Sequence, residues 1–255
     1  MQRKQVKFVI LLLITVVALS CNRKAQLVYL GNVQNENFSA IQPPKYLLKS
    51  GDVLSVQIIS QDERVSKLFS NTGGSGSMGA NLPDAAIYLT GYSINDSGYI
   101  HIPVLGKLKL AGLDINSAQN HVQSSVDEYL KDGIAIIKLL SFKITVIGEV
   151  KRPGTYTNFK DNLNVFEAIG LAGDLSDYAE RSTVLVVRQT VDGLKTSRIN
   201  LNDKKILDFE AFYLLPNDIV IVEPRKGKVF NMNSPNISLF LSVISTALLL
   251  INYLK

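Results

Sequence analysis

The chain has 255 residues, 46% of them hydrophobic and 19% charged, which are the values of a folded globular protein and exclude a disordered tail. Its net charge is +5, but residues 1–20 hold three of the 27 lysines and arginines and none of the 22 acids, so the remainder carries 24 cations against 22 anions. That near-balance leaves no electrostatic case for nucleic acid as a partner, and a single cysteine excludes an intramolecular disulfide.

The N-terminus reads MQRKQVK, with cations at Arg3, Lys4 and Lys7, followed by the twelve uncharged residues Phe8 to Leu19. A positive segment, a short apolar run and a small residue at the break are the parts of a secretory signal, and the run is too short to span a bilayer. The lone Cys21 follows Ala18-Leu19-Ser20, which resembles the lipobox of bacterial lipoproteins. Residues 1–20 are therefore expected to be a lipoprotein signal peptide and Cys21 the lipidated first residue after cleavage. Residues 21–45 are polar, rich in Asn and Gln, and close on Gln42-Pro43-Pro44, so they read as a tether to the first folded unit.

That unit is expected over residues 46–142. In YLLKSGDVLSVQIIS, Tyr46 to Leu48 and Val53 to Ile59 read as strand segments around a turn at Ser50, Gly51 and Asp52. Residues 61–90 contain a literal GxGxxG at Gly74, Gly76 and Gly79. A dinucleotide site needs that pattern between a strand and the first turn of a helix, so this is a flexible insertion and no cofactor is expected. GYSINDSGYIHIPVLGKLKLAGLD reads as a β-meander broken by Ser97-Gly98, Gly106 and Gly112. Asp114 then caps an amphipathic helix through Ile115, Ala118, Val122, Val126 and Tyr129, closed before Gly133. IAIIKLL and FKITVIG follow as strands.

The second unit covers residues 143–224. KITVIGEVKRPGTY predicts strand, turn, strand, with Pro153-Gly154 suited to a type II turn in which Gly154 takes φ > 0. Asn164-x-x-Glu167 resembles a capping box opening a helix that Gly173 ends. STVLVVRQ, SRINL and YLLPNDIVIVEP supply the remaining strands. One helix across a small sheet makes this an α+β unit of β-grasp type.

A basic linker, residues 225–236, leads to the nearly uninterrupted apolar run 237–254, expected to be a C-terminal transmembrane helix. At 100° per residue, Ser238, Ser242, Ser245, Thr246 and Asn252 fall within one sector of about 120°. Such a stripe suits helices that pack together or ring a wet lumen; a plain anchor with tolerated serines is the other reading. Catalytic chemistry is not expected. His101 lies in the strand-like YIHIPV and His121 on the polar side of a helix, and no metal-spaced cluster appears. Asp52 and Asp218 read as acceptors for backbone amides of their turns, and Lys151-Arg152 either meets an acidic polymer or tips a solvated hairpin.

Taken together, the spaced motifs resemble the Wza-like family of bacterial outer-membrane polysaccharide export proteins. The export-domain pattern lies in Tyr46, Gly51-Asp52, Leu54, Gly98-Tyr99-Ile100, Pro103, Leu105-Gly106 and Ala111-Gly112-Leu113. The pattern of the soluble-ligand-binding β-grasp (SLBB) domain lies in Gly148-Glu149-Val150, Arg152-Pro153-Gly154, Tyr156, Ala168, Ala172-Gly173 and Leu215-Pro216-Asn217-Asp218. The family favours glycine where Asp174 and Asn217 stand; Asp and Asn are the next best residues for a left-handed turn position. The resemblance implies a non-enzymatic homo-oligomeric ring with a periplasmic body, held at the outer membrane by lipid and by the C-terminal helix. Its cargo would be a capsular or exopolysaccharide received from an inner-membrane co-polymerase. The alternative is a periplasmic glycan-binding scaffold lipoprotein with a simple C-terminal anchor.

Overall fold

The computed structural model describes residues 28–33, 42–61, 90–226, 228 and 237–253. They form a mixed α/β fold. The first domain runs β1 (Val53–Ile59), β2 (Tyr92–Ser93), β3 (Tyr99–Ile102), β4 (Gly106–Lys109), α1 (Ile115–Asp127) and β5 (Ile134–Leu139). Strands β2, β1 and β5 make one antiparallel sheet and β3 pairs with β4 in a separate hairpin. Alternation along β1 turns Leu54, Val56 and Ile58 inward, where they meet Ala135 and Ile137 of β5 and the buried Ala118, Val122 and Val126 of α1. Asp114 caps α1 by accepting from the amides of Asn116 and Ser117 at 3.1 and 2.9 Å. The helix also closes the edge of β5: Gln123 accepts from the Ala135 amide at 2.7 Å and Gln119 from the Ile137 amide at 3.2 Å. Tyr46 to Leu48 do not form the expected strand; Leu48 is instead tied to the loop before α1, its amide donating to Leu113 O and its carbonyl accepting from Gly112 N, both at 2.9 Å.

The second domain runs β6 (Lys143–Gly148), β7 (Gly154–Thr157), β8 (Leu163–Asn164), α2 (Val165–Leu171), β9 (Ala179–Thr190), β10 (Gly193–Ile199), β11 (Tyr213–Leu214) and β12 (Ile219–Pro224). Five strands in the order β10-β9-β12-β6-β7 form its sheet; β12 and β6 are parallel and the other neighbours antiparallel, while β8 and β11 form a two-stranded ladder. Helix α2 lays Val165, Ala168 and Ile169 against Ile144, Val146, Val184, Val186 and Val220 of the sheet. Its capping box is complete: Glu167 N donates to Asn164 Oδ1 at 2.9 Å, and Asn164 N donates to Glu167 Oε2 at 3.0 Å.

The Pro153-Gly154 turn departs from expectation. Gly154 opens β7 without a left-handed backbone, and the residue with positive φ is Gly148, at 91°. The chain reverses over the whole of residues 148–153 instead of in one tight turn. That loop is pinned to the end of α2 by Lys151 N to Asp174 O at 3.0 Å and Arg152 N to Ala172 O at 2.9 Å, so no residue after Pro153 needs φ > 0.

The C-terminal transmembrane helix is overturned as well. The helix α3 (Ile237–Tyr253) has 17 residues, about 26 Å at 1.5 Å per residue, short of the roughly 20 residues a hydrocarbon core requires. No helix among the described residues is long and apolar enough to cross a membrane, which says nothing of spanning strands.

Candidate functional site at the junction of the two domains

Each domain presents one turn of the same construction to the junction. In Lys49-Ser50-Gly51-Asp52, Gly51 takes φ 87°, Asp52 N donates to Lys49 O at 3.2 Å, and the buried Asp52 carboxylate accepts the Lys49 amide at 2.8 Å. In Leu215-Pro216-Asn217-Asp218, Asn217 takes φ 70°, Asp218 N donates to Leu215 O at 3.1 Å, and the buried Asp218 carboxylate accepts the Leu215 amide at 2.8 Å. The small side chain of Asn tolerates the left-handed position that Gly occupies in the first turn.

The two aspartates differ in what else they hold. Asp52 accepts the Tyr46 hydroxyl at 2.9 Å and the Ser141 hydroxyl at 3.3 Å, joining the start of the first domain to its end. Burial, and then the Asp52 charge, push the Tyr46 hydroxyl above its ordinary pKa, so it remains a neutral donor. Asp218 takes Nε and Nη2 of Arg188 at 3.0 and 2.7 Å, and the same Nη2 reaches Tyr213 O at 2.8 Å. Arg188 had no signal in the sequence beyond its place in the β-type run STVLVVRQ.

Leu139 packs against the cores of both domains, and two clefts are lined by residues of both. One, of about 340 Å³, lies among Lys45, Asp114, Lys138, Phe159, Asp161 and Tyr213; the other, of about 440 Å³, lies among Lys49, Ser50, Gln189, Val191 and Asn217. Tyr46 and Pro216 line both. Among the described residues no group of three or more His, Cys, Asp and Glu could hold a metal ion, and His101 and His121 are exposed. The clefts offer surface and hydrogen-bonding groups to a ligand.

Residues 28–33, inside the expected tether, are docked on the second domain. Leu30 N donates to Leu201 O at 3.0 Å, Asn32 Nδ2 to Asp203 Oδ1 at 3.0 Å, and the Tyr29 hydroxyl to Asp174 Oδ1 at 2.5 Å. The Tyr29 ring meets Phe166 edge-on at 5.7 Å and covers the buried Arg181 guanidinium, whose Nε and Nη1 find no hydrogen-bond partner among the described residues. Edge-to-face contacts continue from Phe166 to Phe212 and from Phe212 to Tyr213 at the smaller cleft.

The Tyr29 hydroxyl, helped by the Leu175 amide, holds Asp174 below its ordinary carboxyl value of 3.8. A depressed pKa makes this contribution to docking fully present above the unfolded value and removes it as pH falls through the folded one. Residues 28–33 are therefore expected to stay docked at neutral pH and to loosen below about pH 3.8. Exchange of the Leu30 amide, followed at stepped pH, measures this. Tyr29→Phe should lower protection already at neutral pH and flatten the acid step; an acid step equal to the parent's would sink the assignment.

The other residues singled out by sequence are dispersed. Cys21 and residues 62–89 lie outside the described residues, as do the side chains of Ser238 and Asn252. On α3, the Ser245 and Thr246 hydroxyls both turn back to Ser242 O, at 2.9 and 2.7 Å, while Leu241, Val243, Ile244, Leu249 and Leu250 are exposed. Lys151 and Arg152 are exposed on the loop against α2.

The two domains thus meet at a junction with one carboxylate-locked turn on each side and two open clefts between them. Residues 40–140 match the model of the polysaccharide biosynthesis/export protein family, and residues 142–222 match that of the SLBB domain. The chain belongs to the polysaccharide export family. It is 27% identical over 204 residues to the EPS I polysaccharide export outer membrane protein EpsA of Ralstonia solanacearum, covering 78% of this chain and 53% of that protein. It is 26% identical over 190 residues to the protein of the same name from Ralstonia nicotianae, covering 72% and 49%. The chain spans about half the length of these curated relatives.

Proposed function

We propose that this protein is the subunit of a homo-oligomeric channel that passes a capsular or exopolysaccharide through the periplasm and the outer membrane. The observation that carries the reading is the export domain followed by an SLBB domain, in a chain similar to proteins named as polysaccharide export outer membrane proteins. In this reading the chain is a lipoprotein anchored through Cys21, its cargo arrives from an inner-membrane co-polymerase, and it performs no catalysis. Six residues separate Cys21 from Val28, so the reach between them is at most about 25 Å of extended chain. With residues 28–33 docked on the second domain, the lipid would hold that domain on the membrane side. Subunits associate in part through α3, whose exposed Leu241, Val243, Ile244 and Leu250 need an apolar partner that another copy supplies.

The test is a deletion strain complemented by the full chain or by Cys21→Ala. Deletion should stop polymer reaching the cell surface while polymer accumulates inside. Cys21→Ala should leave the protein released from the outer membrane, with export reduced at least about tenfold, because a protein without acyl chains loses the roughly 0.8 kcal/mol per methylene that holds it at the bilayer. The particle extracted in detergent should have the mass of a closed ring. Surface polymer unchanged by deletion would end the export reading, and a monomeric particle would end the ring.

A further inference from the structure

We propose that the 340 Å³ cleft between the domains is a saccharide-binding site in which Phe159 is the stacking platform; this rests on the export reading above. The volume lies in the range of small-ligand sites, and sites of this kind favour domain interfaces. Phe159 is 72% exposed at its rim, so an aromatic face stands open to solvent beside the polar groups of the cleft. Its backbone is held in place beneath the ring, since the neighbouring Asn158 is buried and bonds both the amide and the carbonyl of Lys160, at 3.1 and 2.7 Å. The platform is thus fixed while its face is open.

The polar groups around the ring indicate the class of ligand. Two ion pairs line the cleft, Lys45 with Asp114 at 3.6 Å and Lys138 with Asp161 at 3.3 Å, and the amides of Asn116 and Asn162 stand among them, exposed. The Lys138–Asp161 pair is exposed on both sides, worth little in itself and readily opened to other partners, while Lys45 is exposed beside the Asp114 carboxylate that caps α1. Each pair, like each amide, presents a donor beside an acceptor. A sugar hydroxyl, which both donates and accepts, matches that pattern at every position. Lys45, Lys138 and Lys160 stand against Asp114 and Asp161 in the lining, so charge alone selects neither an anionic nor a neutral saccharide, whereas an apolar ligand would strip water from all five charges without replacing its bonds. A pyranose lays its weakly positive C–H face on the negative face of the phenyl ring and turns its hydroxyls to the rim.

The chain contains no tryptophan, so Phe159→Trp in the full-length protein keeps an aromatic platform and gives a single indole reporter. The probe is a set of oligosaccharides made by partial acid hydrolysis of the polymer that the producing cells secrete. The expected result is a saturable change in indole emission. Phe159→Ala should weaken binding of the same oligosaccharides, read by calorimetry, about tenfold or more, with unchanged melting temperature because the side chain is exposed. Asn162→Ala, also exposed, should weaken it by a smaller factor. Emission that stays constant up to millimolar oligosaccharide, or Phe159→Ala binding as tightly as the parent, overturns the proposal. So does a change in particle mass with Phe159→Ala, which would assign the ring to a subunit contact. If deletion of the whole protein stops export while oligosaccharides leave the indole unmoved, this site alone is wrong. If deletion leaves export intact, the reading beneath it is wrong.

Discussion

Replacing Asp218 by Ala is expected to lower the stability of the second domain by about 3–5 kcal/mol, the cost of leaving a buried charge without its partner. The Asp218 side chain is 1% exposed and that of Arg188 12%, and the carboxylate takes two guanidinium nitrogens as well as the Leu215 amide. The alanine variant therefore strands a guanidinium next to the buried Val186 and Val220 and opens the turn that leads into β12. Asp52→Ala removes an aspartate that is also buried, at 5% exposure, from the matching turn of the first domain, but it strands only the Tyr46 and Ser141 hydroxyls and one amide. Its loss should be smaller, about 1–3 kcal/mol. The decisive variant is Asp218→Ala combined with Arg188→Met, which removes both charges and should recover a large part of the single-variant loss. Urea unfolding monitored by tyrosine fluorescence measures all three. A double variant no more stable than Asp218→Ala would mean that the carboxylate acts only through the turn.

The ion pair also marks where sequence reading stops. The capping box of Asn164 and Glu167 and the cap at Asp114 were legible because the partners lie within one helical turn and the chemistry is local. Gly51 and Asn217 were legible for the same reason, each being the residue type its own φ requires. Arg188 was not. It meets Asp218 only because β9 and β12 pair antiparallel with Val187 opposite Ile219, so Arg188, one residue further along β9, falls opposite Asp218, the residue just before β12. The glutamines that close the edge of β5 depend likewise on how α1 lies, and Tyr29 docks on Asp174 across 145 residues of sequence. The polar, Asn-rich composition of residues 21–45 described a tether and was silent about six residues that bind. At the other end, hydropathy alone extended the apolar run 237–254 into a membrane span, whereas the helix that forms has 17 residues and turns two hydroxyls back on its own backbone.

The position least tolerant of change should be Gly148, where even alanine is expected to cost at least about 3 kcal/mol, left-handed strain and overpacking acting together. Its φ of 91° belongs to a region that side chains rarely adopt. The space is closed as well: a Cβ built there would overlap the carbonyl oxygen of Val222 and lie 3.0 and 3.1 Å from that residue's carbonyl carbon and amide nitrogen. These are backbone atoms of β12, a central strand fixed by β9 on one side and β6 on the other, so no rotamer change relieves the contact. The Val222 carbonyl is also the acceptor for Glu149 N at 3.0 Å, and pushing it aside would release the loop that runs to Pro153. Gly154 is the matched control in the same segment. It lacks positive φ, and an added Cβ would stand 3.9 Å from the Tyr156 ring, an ordinary contact. Gly154→Ala should be neutral or stabilise by up to about 1 kcal/mol through the reduced freedom of the unfolded chain. Denaturant midpoints of the two variants, measured side by side, separate the two glycines. Equal losses at both positions would restore a strained turn at Gly154, and a Gly148→Ala variant that unfolds with the parent would show that β12 yields where its neighbours should hold it.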